Sequence, residues 1–185
     1  MTTITLSDSP VIAAVKNEEQ LSFALASECE TVFLLCGDIL NIGSLCARVR
    51  EADKHPIVHL DLVNGLAPRE IAVDFIRQTT CAEGIISTKP PLIRRAKELG
   101  LFTVLRVFVI DSRALEAIER ERSLVEPDVI EILPGVMPDI IRKISGMTPT
   151  PLIAGGLISA KQEIMAALGA GAIAVSTTNR ESWQA

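Results

Sequence analysis

Two clusters of small polar residues near the C-terminal end carry the clearest chemical signal in this 185-residue chain. Gly155-Gly156 closes the apolar run Pro151–Ala154, and Ser176-Thr177-Thr178-Asn179 closes the apolar run Ala172–Val175. A glycine pair lets a ligand approach the backbone, while hydroxyls and a helix N-cap with unpaired N–H groups suit an oxyanion. In (β/α)8 barrels the loops after the seventh and eighth strands, with the start of a short extra helix, commonly hold a phosphate. The two clusters at this separation therefore predict a phosphate cradle built by Gly155, Gly156, Ser176, Thr177 and Thr178. Gly-Gly by itself is explained equally well as a tight turn.

A second set of groups emerges from strand alternation. A strand over Pro56–Leu62 puts His59 and Asp61 on the face of Ile57 and leaves Val58, Leu60 and Leu62 as an apolar face for helices. The same alternation aims Arg106 inward beside Val104 and Phe108, aims Glu131 inward beside Val129 and Leu133, and places Lys89 at the end of the fourth strand. Charges inside a barrel are costly unless paired. Two acids and two bases could neutralise one another, or line a polyol-phosphate pocket in which carboxylates accept from hydroxyls and cations sit near the phosphate. Both arrangements can coexist.

Lys89 with Glu131 or Asp61 also has the groups for Schiff-base or proton-transfer chemistry. A small phosphopolyol or phosphosugar enzyme of isomerase, aldolase or phosphodiesterase type is thus the alternative to a binding protein. No residue stands out as a nucleophile or as a base with its orienter, so ligand binding without turnover is the favoured reading. Cys29, Cys36, Cys46 and Cys81 are far apart with no C-x-x-C spacing and are expected to be reduced and mostly buried. His55 and His59 are the only histidines and lack a third ligand nearby in sequence, so neither a metal nor a cofactor is expected.

The elements that must position these groups alternate regularly. Strands are expected at Val11–Val15, Thr31–Gly37, Pro56–Leu62, Gly84–Lys89, Phe102–Asp111 and Asp128–Gly135, followed by the two terminal apolar runs. Helices are expected at Asn17–Ser27, Ile42–Asp53, Pro68–Thr79, Pro90–Leu99, Arg113–Val125, Pro138–Ser145 and Ser159–Leu168. Short apolar strands without alternation, separated by helices, imply a parallel sheet covered outside, and about eight repeats imply closure. The fold class is α/β: a compact (β/α)8, TIM-barrel-like parallel barrel forming a single domain over residues 1–185. At 185 residues against roughly 250 for the typical fold, loops must be minimal and one helix shortened or missing. A doubly wound open sheet is the competing topology.

Composition agrees, with 48% hydrophobic residues, 3% aromatics and a net charge of −5. The acidic balance argues against a generic polyanion surface. No apolar run approaches the roughly 18 residues of a membrane span, and the N-terminal stretch lacks the pattern of a secretory signal, so a cytoplasmic protein without membrane partners is expected.

The runs HLDLVNGL (His59–Leu66), GIISTKPPLIRRAKELGLFTVLRVFVIDSRAL (Gly84–Leu115), EILPGVMPDII (Glu131–Ile141) and PLIAGGLISAKQEIMAALGAGAIAVSTTNRESW (Pro151–Trp183) closely resemble the bacterial glycerol-3-phosphate-responsive antiterminators, the glycerol uptake operon regulatory proteins. The likeness spans nearly the whole chain. It implies a regulator that binds glycerol-3-phosphate in a barrel-like fold. When liganded, such a regulator acts on the leader mRNA of glycerol-3-phosphate dehydrogenase, preventing termination and stabilising the transcript. Carried over by position, Lys89, Gly155, Gly156, Ser176, Thr177 and Thr178 lead the ligand-binding candidates, followed by Asp61, Arg106 and Glu131, with His59 added from its inward position.

The expected partners are glycerol-3-phosphate and leader mRNA, and a homo-oligomer is compatible with the pattern. Direct RNA binding would fall on Arg94, Arg95 and Lys97, whose helix follows Lys89 and could respond to ligand. Other basic groups (Arg48/Arg50/Lys54, Arg120/Arg122, Arg142/Lys143) also lie on outer helices, where charge is commonly a solvated face. Few aromatics and an acidic balance are unusual for an RNA reader and leave a protein partner as a third output.

Overall fold

The computed structural model describes residues 4–184, so residues 1–3 and 185 of the expected domain lie outside the described residues. Its strands are β1 (Val11–Val15), β2 (Thr31–Leu34), β3 (His55–His59), β4 (Gly84–Ser87), β5 (Phe102–Phe108), β6 (Val129–Leu133), β7 (Leu152–Gly155) and β8 (Ala174–Thr177). Between them run α1 (Glu18–Leu25), α2 (Ile42–Glu51), α3 (Glu70–Thr79), α4 (Pro90–Glu98), α5 (Ser112–Val125), α6 (Pro138–Met147) and α7 (Lys161–Gly169). Every strand pairs in parallel with its sequence neighbour, and β8 returns to β1 through Val11↔Val175 and Ala13↔Thr177, closing the barrel. The open-sheet alternative is thereby excluded.

Closure explains why the strands read as continuous apolar runs: both faces of each strand are buried. One face fills the barrel interior with Ile12, Phe33, Ile57, Ile86, Val104, Val129, Ile153 and Ala174, and Leu6 from the leader packs into the same cluster. The other face, with residues such as Val32, Val58, Ile85, Leu105, Ile130 and Leu152, forms the layer under the helices. Local signals start and stop the helices. Asn17 caps α1 by accepting from the Gln20 amide, Asp111 caps α5 by accepting from Arg113 and Ala114, and Pro90-Pro91 open α4. Gly100, at φ +71°, turns the chain out of α4.

One departure from the expected boundaries and one expected economy matter for the site. β3 ends at His59, and Leu60–Leu62 form a 3-10 turn, so Asp61 leaves the strand alternation and Leu62 is 45% exposed at the mouth instead of lying under the helices. The physical reason is local: the Asp61 carboxylate captures the Ser87 hydroxyl and the Thr88 amide and hydroxyl, which pulls the chain over the end of β4. The eighth helix is replaced by a five-residue 3-10 segment, Arg180–Gln184, as the short chain required. Its buried Trp183 donates from the indole nitrogen to the Thr177 carbonyl at 2.9 Å and supplies the apolar cover a full helix would give. Among the described residues no helix is long and apolar enough to cross a membrane.

The tightest strand contact gives a test of this packing. A methyl group on Gly84 would lie 2.5 Å from the Phe102 carbonyl oxygen, a backbone atom that cannot swing away. Gly84→Ala is expected to cost about 1–3 kcal/mol and to lower the melting temperature by about 2–4 °C for each kcal/mol at this chain size. An unchanged melting temperature would contradict the packing.

Candidate functional site

The interior layer above the apolar plug is where polarity begins. Continuing the inward alternation by two residues on each strand brings Ala14, Leu35, His59, Thr88, Arg106, Glu131, Gly155 and Ser176 to the layer beneath a cavity of about 740 Å³ at the C-terminal mouth. Arg106, Glu131, Gly156, Ser176, Thr177 and Thr178 line that cavity, facing an apolar wall that includes Leu35, Leu62 and Leu133.

Glu131 is the fixed point of the layer. It is 0% exposed; its Oε2 accepts from Arg106 Nε at 2.6 Å and its Oε1 accepts from Ser176 Oγ at 2.6 Å. The register places Arg106 directly opposite Glu131 across β5 and β6, which is why the pair forms at all. Gly155 makes room for it: a Cβ there would sit 2.5 Å from Glu131 Oε1 and 2.6 Å from Ser176 Oγ. Gly155 therefore serves the ion pair by giving it space. Among the described residues only Nε of Arg106 is engaged, so both terminal nitrogens remain available where the side chain meets the cavity.

The backbone at the ends of β7 and β8 supplies further donors. Among the described residues the amides of Gly156 and Thr178 donate to no protein acceptor. The Thr178 amide shares a planar trans peptide with the Thr177 carbonyl, which accepts from the Trp183 indole, so that bond also fixes the direction of the N–H of Thr178, a residue that lines the cavity. Gly156 at φ +76° is followed by Leu157 at φ +63°. A left-handed Leu costs on the order of 1–2 kcal/mol, strain of the kind that collects at functional loops.

Other members of the cluster are committed elsewhere. Thr177 Oγ1 donates to the Ile158 carbonyl at 2.7 Å and accepts from the Asn179 amide at 3.0 Å, tying the two loops together. The Ser159 and Ala160 amides just before α7 are taken by the Glu163 carboxylate, and those bonds hold its pKa below the ordinary value. Asn179 caps the short terminal segment by accepting from Glu181, but a 3-10 turn of this length carries little dipole. The donors left for an anion thus include the Gly156 and Thr178 amides and the Arg106 guanidinium.

His59, Asp61 and Lys89 form a separate group around the ends of β3 and β4. Burial would raise the Asp61 carboxyl, but the Thr88 amide, the Ser87 and Thr88 hydroxyls and Lys89 together hold it below its ordinary value. Lys89 Nζ lies 3.5 Å from Asp61 Oδ1 and is 42% exposed, so its charge is balanced at the rim. His59 is 3% exposed and its Nδ1 is buried with no partner among the described residues. Burial, then Arg106, push its pKa down to about 4, against the opposing effect of Asp61.

The basic triplet on α4 stands apart from the mouth cavity, on the outer face. Arg94 pairs with Glu70, Arg95 pairs with Asp74 and Glu98, and Lys97 donates to the Glu126 carbonyl. Of the cysteines, Cys29 and Cys46 are buried, Cys36 is half-buried and Cys81 is exposed; burial pushes the Cys46 thiol up to about 12. Sequence reasoning missed Lys16, which lines the cavity, although carrying the alternation of Ile12 and Ala14 one step past β1 would have found it. Leu157 carried no signal, because nothing in a leucine announces a left-handed backbone.

The family model described as glycerol-3-phosphate responsive antiterminator matches residues 11–183. YgcP of Escherichia coli (strain K12), described as an uncharacterized protein, is 38% identical over 178 residues, covering 96% of this chain and 93% of its own. The crystal structure of the glycerol uptake operon antiterminator regulatory protein from Listeria monocytogenes is 32% identical with a TM-score of 0.94, covering 98% of both chains. A glycerol uptake operon antiterminator-related protein from Thermotoga maritima is also 32% identical, with a TM-score of 0.82 and coverage of 94% and 96%. A deoxyribose phosphate aldolase from Aeropyrum pernix, 13% identical with a TM-score of 0.73 over 97% and 90% of the chains, shares the fold alone.

The buried histidine predicts a pH dependence. The unfolded chain takes up the proton near pH 6.5 but the native state only near pH 4. Between those values the unfolded state binds more protons, so stability falls as the pH falls, by about 2 kcal/mol at pH 5 from this residue. Denaturant titrations of wild type and His59→Gln at pH 7.5 and pH 5 are expected to show a smaller loss in the variant. Equal losses would place His59 in a solvated environment instead.

Proposed function

Because this chain belongs to the glycerol-3-phosphate responsive antiterminator family, a family of regulators, we propose that its barrel mouth binds glycerol-3-phosphate. The liganded protein then acts on the leader mRNA of the glycerol-3-phosphate dehydrogenase operon, preventing termination and stabilising the transcript. The observation that carries the ligand assignment is the convergence of unengaged donors, the Gly156 and Thr178 amides and the Arg106 terminal nitrogens, on one cavity. In this reading the phosphate sits between the two amides. Such donors are fixed before the ligand arrives, so they lose little entropy on binding, and hydrogen bonds to a charged oxygen are roughly twice as strong as neutral ones.

The glycerol hydroxyls point toward Glu131, His59 and Asp61, each able to accept a hydrogen bond, while Ser176, Thr177 and Gly155 shape the cradle from behind. The Thr88 amide and the Ser87 and Thr88 hydroxyls, with Lys89, hold Asp61 ionised at the rim. Turnover has no support in this arrangement: Glu131 is occupied by Arg106 and Ser176, and Lys89 is paired and half exposed rather than desolvated as an amine nucleophile needs to be. For RNA, Arg94, Arg95 and Lys97 on α4 are the proposed contact, since α4 begins at the residue after Lys89. The carboxylate pairs of Arg94 and Arg95 lie at the surface, where such pairs are worth little and can be exchanged for phosphates.

Saturating glycerol-3-phosphate, at about 100 times its dissociation constant, is expected to stabilise the protein by about 2.7 kcal/mol and to be recovered unchanged after incubation. No thermal shift at millimolar ligand, or conversion of the ligand, would count against the sensor. In a gel shift with the leader transcript, the Arg94→Ala/Arg95→Ala/Lys97→Ala variant is expected to bind less RNA than wild type in the presence of ligand; equal binding would move the contact to another surface.

A further inference from the structure

We propose that Lys16 is the residue that makes the mouth site select a doubly charged phosphate monoester over singly charged anions, including phosphodiesters. This rests on the phosphate reading of the same cavity and adds a ligand class to it. Lys16 follows β1 on the inward face already occupied by Ile12 and Ala14, and it lines the cavity. Its backbone is fixed, because its amide donates to Gln20 Oε1 at 2.8 Å and the next residue, Asn17, caps α1. β1 is the hydrogen-bonded neighbour of β8, with Ala13 opposite Thr177, so Lys16 stands beside the strand end that carries the Thr178 amide. Among the described residues its ammonium makes no ion pair and no hydrogen bond.

The charge balance of the cavity then depends on this one side chain. The charged residues lining it are Lys16, Arg106 and Glu131. Arg106 and Glu131 cancel each other at 2.6 Å, so the uncompensated positive charge belongs to Lys16. An arriving dianion meets neutral amide donors, a guanidinium already balanced by a carboxylate, and one free cation. The attraction of that cation scales with ligand charge, so it is about twice as large for a −2 phosphate monoester as for a −1 diester at the same distance. Lysine suits the position because its flexible stem can follow the phosphate while the charge stays hydrated before binding.

The same charge sets a pH response. The second ionisation of a phosphate monoester lies near pH 6, so wild-type affinity should fall between pH 7.5 and pH 5.5 as the ligand loses its second charge, and this fall should be smaller without Lys16.

Calorimetric titration of wild type, Lys16→Met and Lys16→Arg with glycerol-3-phosphate and with its methyl phosphodiester tests the proposal. Lys16→Met is expected to weaken the monoester about tenfold, the low end for a charge-assisted contact because the ammonium starts exposed, and the diester by less. Lys16→Arg should restore most of the monoester affinity. Unchanged monoester binding in Lys16→Met, or an equal loss for both esters, would overturn the assignment while leaving the phosphate site standing. If wild type binds neither ester, the phosphate reading itself fails. Circular dichroism of each variant separates these outcomes from misfolding, and the exposed position of Lys16 makes a native spectrum the expected result.

Discussion

The buried contact between Arg106 and Glu131 is the constraint around which the rest of the mouth is arranged. A carboxylate with no solvent exposure is tolerable only if each oxygen is matched, and here one is matched by a guanidinium and the other by the Ser176 hydroxyl. That requirement explains the glycine at 155, since any side chain there would collide with both acceptor and donor. It also holds Arg106 by Nε, with the terminal nitrogens left over for a ligand. A single pairing thus fixes the floor of the cavity, aims a cation and ties β5, β6 and β8 together across the barrel interior.

The second constraint is economy of chain. The missing eighth helix exposes the flank of β8 and β1, and Trp183 covers it from a turn of five residues. Its indole bond to the Thr177 carbonyl orients the following peptide. The stability of this edge and the direction of the Thr178 amide are therefore one structural fact. On the opposite side of the mouth, Asp61 organises the end of β4 in a similar way, through the Ser87 and Thr88 hydroxyls and the Thr88 amide. Both rims are shaped by polar side chains that satisfy backbone ends, which is why short loops suffice.

Much of this was legible in the sequence. Eight apolar runs separated by helix patterns pointed to a parallel barrel, with an open sheet as the competitor until the β8–β1 pairing closed it, and strict alternation in β5 and β6 placed Arg106 and Glu131 on one inward level. Alternation failed at Asp61 because β3 stops at His59, and tertiary capture by Ser87 and Thr88 has no periodic signature. The roles within the glycine and hydroxyl clusters were also hidden. Gly155 accommodates a carboxylate from another strand, and Thr177 spends its hydroxyl on Ile158, contacts that exist only once the barrel closes. Lys16 was readable from the phase of β1, whereas the left-handed turn at Leu157 was not. The long matching runs identified the family because they include loop residues at the mouth as well as the core.

In the proposed site two backbone amides, at Gly156 and Thr178, receive an oxyanion. Titrating the isotope-labelled protein with glycerol-3-phosphate while following backbone amide resonances tests it most directly. Saturable downfield proton shifts at Gly156 and Thr178, larger than those at Ser159 and Ala160 whose amides already serve Glu163, are the expected result. Binding that leaves both resonances in place, or that moves the Ser159 and Ala160 amides instead, would contradict this assignment.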